Sequence, residues 1–169
     1  MLFWILIAGP TPPPEGYRPL KLAGRRLLVS PRAEARETAA LLYPDAPAEA
    51  EALLDELPAR GRSGLLRLLP PRPADGKAAA ARADALLDAL AAPGPGCVLV
   101  THPVLAAALM DRARLRGCVS QRSGLGALRP WERILVSSRG AHCGGCEHNC
   151  LLSNPGCPVG RDKAARRRG

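Results

Sequence analysis

An α/β fold with a largely parallel sheet is predicted by three features of the sequence. Short apolar runs bounded by turn residues recur along the chain, amphipathic stretches of helical period lie between them, and the whole fits one domain of 169 residues. The composition supports a packed core: 47% of residues are hydrophobic, and Gly and Pro together stay near a fifth of the chain, below the level of low-complexity sequence. Only five residues are aromatic, so Leu, Ala and Val must fill most of the interior.

The first run, Phe3–Ala8, reads as a buried strand, and Gly9-Pro10 ends it. Thr11 to Pro19 contains three consecutive prolines and must leave that strand as an extended loop. A second strand is expected at Arg26–Ser30. With Ser30 as N-cap and Pro31 in the first turn, a helix then continues from Arg32 to Tyr43, carrying Ala35, Ala39 and Leu42 on one face. Another helix runs from about Asp75 to Ala91 and is stopped by Pro93-Gly94-Pro95-Gly96. Gly96–Thr101 forms the third strand and leads into a helix from Pro103 through Arg116. The stretch Arg122 to Arg133 reads as a loop entering a last strand, Arg133–Ser137. Gly124-x-Gly126 within it is no phosphate loop, because neither a helix start nor a lysine follows. Trp131, flanked by Arg129 and Arg133, suggests a contact surface there.

No apolar run reaches the roughly 20 residues needed to span a bilayer. Met1–Ala8 lacks the basic start of a signal peptide, so a cytoplasmic protein without membrane contact is expected. The formal charge of +9 comes from 24 Lys and Arg against 15 Asp and Glu, and Arg supplies 21 of those cations. Part of the excess lies in the tail, where Arg161, Lys163, Arg166, Arg167 and Arg168 stand against Asp162. Such a tail is either a solvated terminus or a contact for nucleic acid.

Three strand ends carry a resemblance to the histidine phosphatase (phosphoglycerate mutase-like) superfamily. Ser30-Pro31-Arg32-Ala33-Glu34-Ala35-Arg36-Glu37-Thr38-Ala39 is similar to that family's Ser-Pro-x-x-Arg-Ala-x-Gln-Thr-Ala. Ile7-Ala8-Gly9-Pro10-Thr11 stands where the family has Arg-His-Gly-Glu-Thr, and Thr101-His102-Pro103 where it has Ser-His-Gly. Order and spacing agree over residues 1–137. The resemblance implies a three-layer sandwich and a site that transfers a phosphoryl group to a histidine held among arginines. It also implies that the nucleophilic His is replaced by Ala8, its preceding Arg by Ile7 and the phosphate-binding Arg of the second motif by Glu34. His102 matches the family's second histidine, and Glu56, in Leu54-Asp55-Glu56-Leu57, falls in the segment similar to the one that supplies its proton donor. Arg32 and Arg36 are the remaining cations for a substrate. Two expectations follow: a degenerate domain without phosphohistidine chemistry, or a phosphomonoesterase that uses His102 and Glu56. The ligand is then a phosphorylated small molecule or a protein partner.

Residues 1–140 are expected to form the α/β domain, 141–160 a Cys-rich segment and 161–169 the basic tail. Cys143, Cys146, Cys150 and Cys157 are spaced C-x2-C-x3-C-x6-C, which suits one four-coordinate metal site. Zinc is the first candidate, because four thiolates are a usual structural environment for it and its binding energy can order a segment with little core. An iron–sulfur cluster is the alternative, and His142 or His148 could replace one Cys. A Cys143–Cys146 redox pair and unligated thiols are the readings without metal. The Cys-rich segment and the tail together offer a third function, association with nucleic acid. Cys97 and Cys118 read as buried small hydrophobes.

Overall fold

The computed structural model describes residues 1–61, 69, 71–91, 96–122 and 126–138. It is a mixed α/β domain. The strands are β1 (Leu2–Ile7), β2 (Arg26–Val29), β3 (Ala48–Ala50), β4 (Cys97–Thr101), β5 (Cys118–Arg122) and β6 (Arg133–Ser138). The helices are α1 (Ala33–Leu42), α2 (Gly76–Leu90) and α3 (Pro103–Leu115), with a single 3-10 turn at Ala52–Leu54. The six strands form one sheet in the order β3-β2-β4-β1-β6-β5. β3, β2, β4 and β1 are mutually parallel, β6 runs antiparallel to β1, and β5 runs antiparallel to β6.

The central strands are apolar on both faces because both are covered. Phe3, Ile5, Ile7, Leu28, Leu99, Ile134 and Val136 point to one side, where they meet α2 and α3. Trp4, Leu6, Leu27, Val29, Val98, Val100 and Leu135 point to the other, toward α1 and the irregular segment that holds Leu20. Leu105 and Leu109 of α3 are completely buried on the first side, and each contributes about 1.5–3 kcal/mol by leaving water. Asp75 caps α2 by accepting hydrogen bonds from the Lys77 and Ala78 N–H groups at 2.8 and 3.0 Å. Asp84 on α2 binds Arg112 on α3 and Arg116, the C-cap residue of α3, at 2.6 and 2.9 Å, tying the two helices across their exposed margin. The Arg112 guanidinium holds the Asp84 carboxyl below its ordinary value, with help from Arg116.

Three expectations need correction. The sheet has six strands rather than four: β3 and β5 are its two edges, and Arg122 closes β5 instead of starting a loop. Arg32, with extended backbone, is the N-cap of α1, while Ser30 sits two residues earlier and its hydroxyl accepts the Arg32 N–H at 3.4 Å. Trp131 is not a surface residue but is 7% exposed. Cys97 and Cys118 are buried as expected, and burial pushes the Cys97 thiol up to about 12. Among the described residues no helix is long and apolar enough to cross a membrane.

Candidate functional site

β1, β4 and β2 lie side by side and parallel, so the segments that follow them emerge at one edge of the sheet. Register fixes how closely: Ile7 is opposite Thr101, and Val29 is opposite Val100. The Ala8 N–H continues the ladder to the Thr101 carbonyl at 2.8 Å, and the Ser30 N–H continues it to the Val100 carbonyl at 2.9 Å. Ala8, Ser30 and His102 therefore meet at adjacent strand ends. β4 is followed by α3 on one face, while β1 and β2 are followed by chain that packs on the other. A sheet opens a crevice beyond its strands at such a reversal, and ligands of α/β proteins bind there.

His102 is the N-cap residue of α3 and is 4% exposed, and its Nε2 has no hydrogen-bond partner. An unpaired buried polar atom is costly, roughly 1–3 kcal/mol, and marks a place where a water or a ligand atom is wanted. Beside it, the Thr101 hydroxyl donates to the Leu54 carbonyl at 2.9 Å and pins the 3-10 turn to the end of β4. That contact brings Asp55 and Glu56 to the rim. Asp55 receives the Arg32 Nε at 2.7 Å, and its backbone carbonyl receives Arg82 Nη1 at 3.2 Å. Arg32 holds the Asp55 carboxyl below the usual aspartate range.

On the other side of β1 the chain is closed by Trp131. Its backbone N–H donates to the Ile7 carbonyl at 2.9 Å, and the Ile7 N–H donates to the Glu132 carbonyl at 3.0 Å. The indole lies across Gly9 so closely that a Cβ there would collide with Trp131 Nε1; only glycine fits beneath the ring. Trp131 has φ of +67°, a left-handed conformation that a bulky side chain adopts only when its surroundings impose it. Glu132 supplies the imposition. Its carboxylate, 6% exposed, takes Arg122 Nε and Nη2 at 2.8 and 3.0 Å and the Arg129 N–H at 3.1 Å. Arg122 also donates to the Gly126 carbonyl at 2.9 Å, so one buried ion pair fixes the turn that carries Trp131.

Of the residues the sequence singled out, His102 and Ala8 are brought together. Arg32 reaches the same edge with its Nε committed to Asp55. Glu56 is exposed next to Asp55, and Arg36 is exposed on α1; neither side chain has a hydrogen-bond or ion-pair partner among the described residues. Arg82 and the Arg122–Glu132 pair were not anticipated, nor were the contacts that Asp55 and Thr101 make. Asp55 and Arg82 are 27 positions apart and met only through the fold. Cys143, Cys146, Cys150, Cys157, His142 and His148 lie outside the described residues. Among those described, no group of three or more His, Cys, Asp or Glu is placed to hold a metal ion.

At the end of β1, Ala8 offers a methyl group, and the imidazole at this end of the sheet is that of His102, between β4 and α3. The fold is a mixed α/β domain with a six-stranded, mostly parallel sheet, and Ala8, Ser30 and His102 stand at one end of it. No family model matches the chain, and no curated protein matches it.

Proposed function

We propose that the chain is a histidine phosphatase-like domain that has given up phosphohistidine transfer and keeps the crevice at His102 for binding. Its ligand is a phosphorylated small molecule or a protein partner. Residues 141–160 add a metal-binding module that holds zinc, with an iron–sulfur cluster as the alternative, through Cys143, Cys146, Cys150 and Cys157. The observation that carries the reading is the meeting of Ala8, Ser30 and His102 at three adjacent parallel strand ends. The resemblance requires these three segments to converge, although 94 positions separate the first from the last. Loss of the reaction follows from chemistry: without an imidazole at position 8 no phosphoryl group can be taken up there, and a carboxylate at Glu34 repels a phosphate dianion.

β6 runs antiparallel to β1 and ends beside its start, where the Ser138 N–H meets the Met1 carbonyl at 3.0 Å. Ser138, the last described residue, therefore lies a strand's length, about 20 Å, from Ala8.

The test is elemental analysis of the purified chain together with an assay for hydrolysis of an aryl phosphate. About one equivalent of zinc is expected, lost in Cys146→Ser without unfolding of residues 1–138, and no turnover is expected. Turnover that disappears in His102→Ala would establish instead the enzyme that uses His102 and Glu56. A brown protein containing iron would replace zinc by the cluster.

A further inference from the structure

The two edges of the sheet are unlike. β3 is three residues long, with Pro47 before it, Glu49 within it and Glu51 after it, so two copies paired there would bring like charges together. β5 has five residues and neither proline nor lysine. Its one charged side chain, Arg122, is spent on Glu132 and on the Gly126 and Ala127 carbonyls. Register fixes which backbone groups of β5 are free of the ladder. The Ser138 N–H turns to Met1 on the β1 side, so Ser138 and Cys118, opposite each other, are a non-hydrogen-bonded pair. The bonds to β6 are then made by Val119 and Gln121, and the N–H and C=O groups of Cys118, Ser120 and Arg122 point away from β6, out of the sheet. Exposed apolar side chains flank them: Leu115 is 74% exposed and Val119 43%.

We propose that the outer edge of β5 pairs antiparallel with the same edge of a second copy of this chain, about a two-fold axis at Ser120, so that one sheet runs through both copies. That axis sets Ser120 opposite the partner's Ser120, Val119 opposite the partner's Gln121 and Cys118 opposite the partner's Arg122. Residues that point outward then meet residues that point outward, which allows about six backbone hydrogen bonds. No like charges stand opposite each other, and the pairing covers the exposed Val119. The edge is its own complement, the property that an isologous two-fold interface requires. A five-residue edge buries less than the roughly 1,200 Å² of a stable complex, so the dimer is weak and reversible. This interface is independent of the reading given to His102.

The experiment is sedimentation of the full chain under reducing conditions, which keep disulfides out of the result, from about 1 µM to about 1 mM. A concentration-dependent monomer–dimer equilibrium is expected. Ser120→Pro removes a donor that the β5–β6 ladder does not use and should weaken association about tenfold or more. Ser120→Lys keeps the backbone intact, sets two ammonium groups opposite each other at the axis, and should weaken association to a similar degree. Mixed with an equal amount of Ser120→Glu, which alone should also be monomeric, it should associate again. A parent chain that stays monomeric at about 1 mM overturns the proposal, the result if the edge takes another protein or residues 139–169 instead. A dimer that survives both Ser120→Pro and Ser120→Lys overturns it as well, because it lies on another surface. So does a mixture of the Lys and Glu variants that associates no better than either alone, because Ser120 is then not on the axis.

Discussion

The two faces of the sheet are built differently. The face under α2 and α3 is closed by two long helices, and its buried hydrophobic residues are aliphatic apart from Phe3, Met110 and two thiols. The opposite face is covered by one ten-residue helix and an irregular proline-rich segment, and it holds Trp4 and Tyr43 with Tyr17 packed against them. Both unpaired phenols lie on the second face, whereas the unpaired His102 Nε2 stands at the start of α3, and the left-handed turn of Trp131 closes the end of the second face. An interior of hydrocarbon gains stability from every atom, whereas one that leaves donors without acceptors gives up stability that a ligand can return.

That contrast can be broken or sharpened by substitution. The largest effect is expected on the helical face: Leu105→Ala removes a completely buried side chain and should lower unfolding free energy by about 2–5 kcal/mol. Urea denaturation measures it, and the emission of Trp131 should not move. On the other face Gly9→Ala should cost less, about 1–3 kcal/mol, because the indole is the group that must give way. It should nonetheless change the fluorescence of Trp131, whereas equal emission before and after would mean that the ring does not rest on Gly9. The smallest effect concerns the exposed tie between α2 and α3. Asp84 titrates below its ordinary value in the folded chain because Arg112 and Arg116 bind its charged form. Its contribution is therefore complete above the unfolded aspartate value and fades as the pH falls through the folded one. Asp84→Asn should flatten the decline of stability below about pH 4 and leave neutral-pH activity or binding untouched.

Much of this architecture could be read along the chain. β1, β2, β4 and β6 are buried runs of Leu, Ile and Val, and the three helices carry their apolar residues at helical spacing, so each is a local signal. β3 is Ala48-Glu49-Ala50 with all three residues exposed, and β5 is half exposed. Nothing in such segments asks for a strand; they are extended because a neighbouring edge offers unpaired backbone groups. The site divided in the same way. Ala8, Ser30 and His102 stand at ends of strong strands and were visible. Trp131 looked exposed because arginines surround it in sequence, yet Arg133 turns to Tyr17 and Arg122 reaches back over ten positions to hold Glu132. Pairings of that kind are set by the turn they stabilise and leave no periodic trace.

One hydroxyl has a mechanical consequence. Thr38, completely buried on α1, accepts the Gly9 N–H at 3.3 Å and donates to the Gly9 carbonyl at 3.2 Å, gripping both ends of a single residue. Gly9 is the floor on which the indole rests, so helix, floor and ring make a short lever with Thr38 as its pin. Pressure of the ring on that floor is therefore met by α1 as well as by β1, and Gly9 is held between a helix and an aromatic plane.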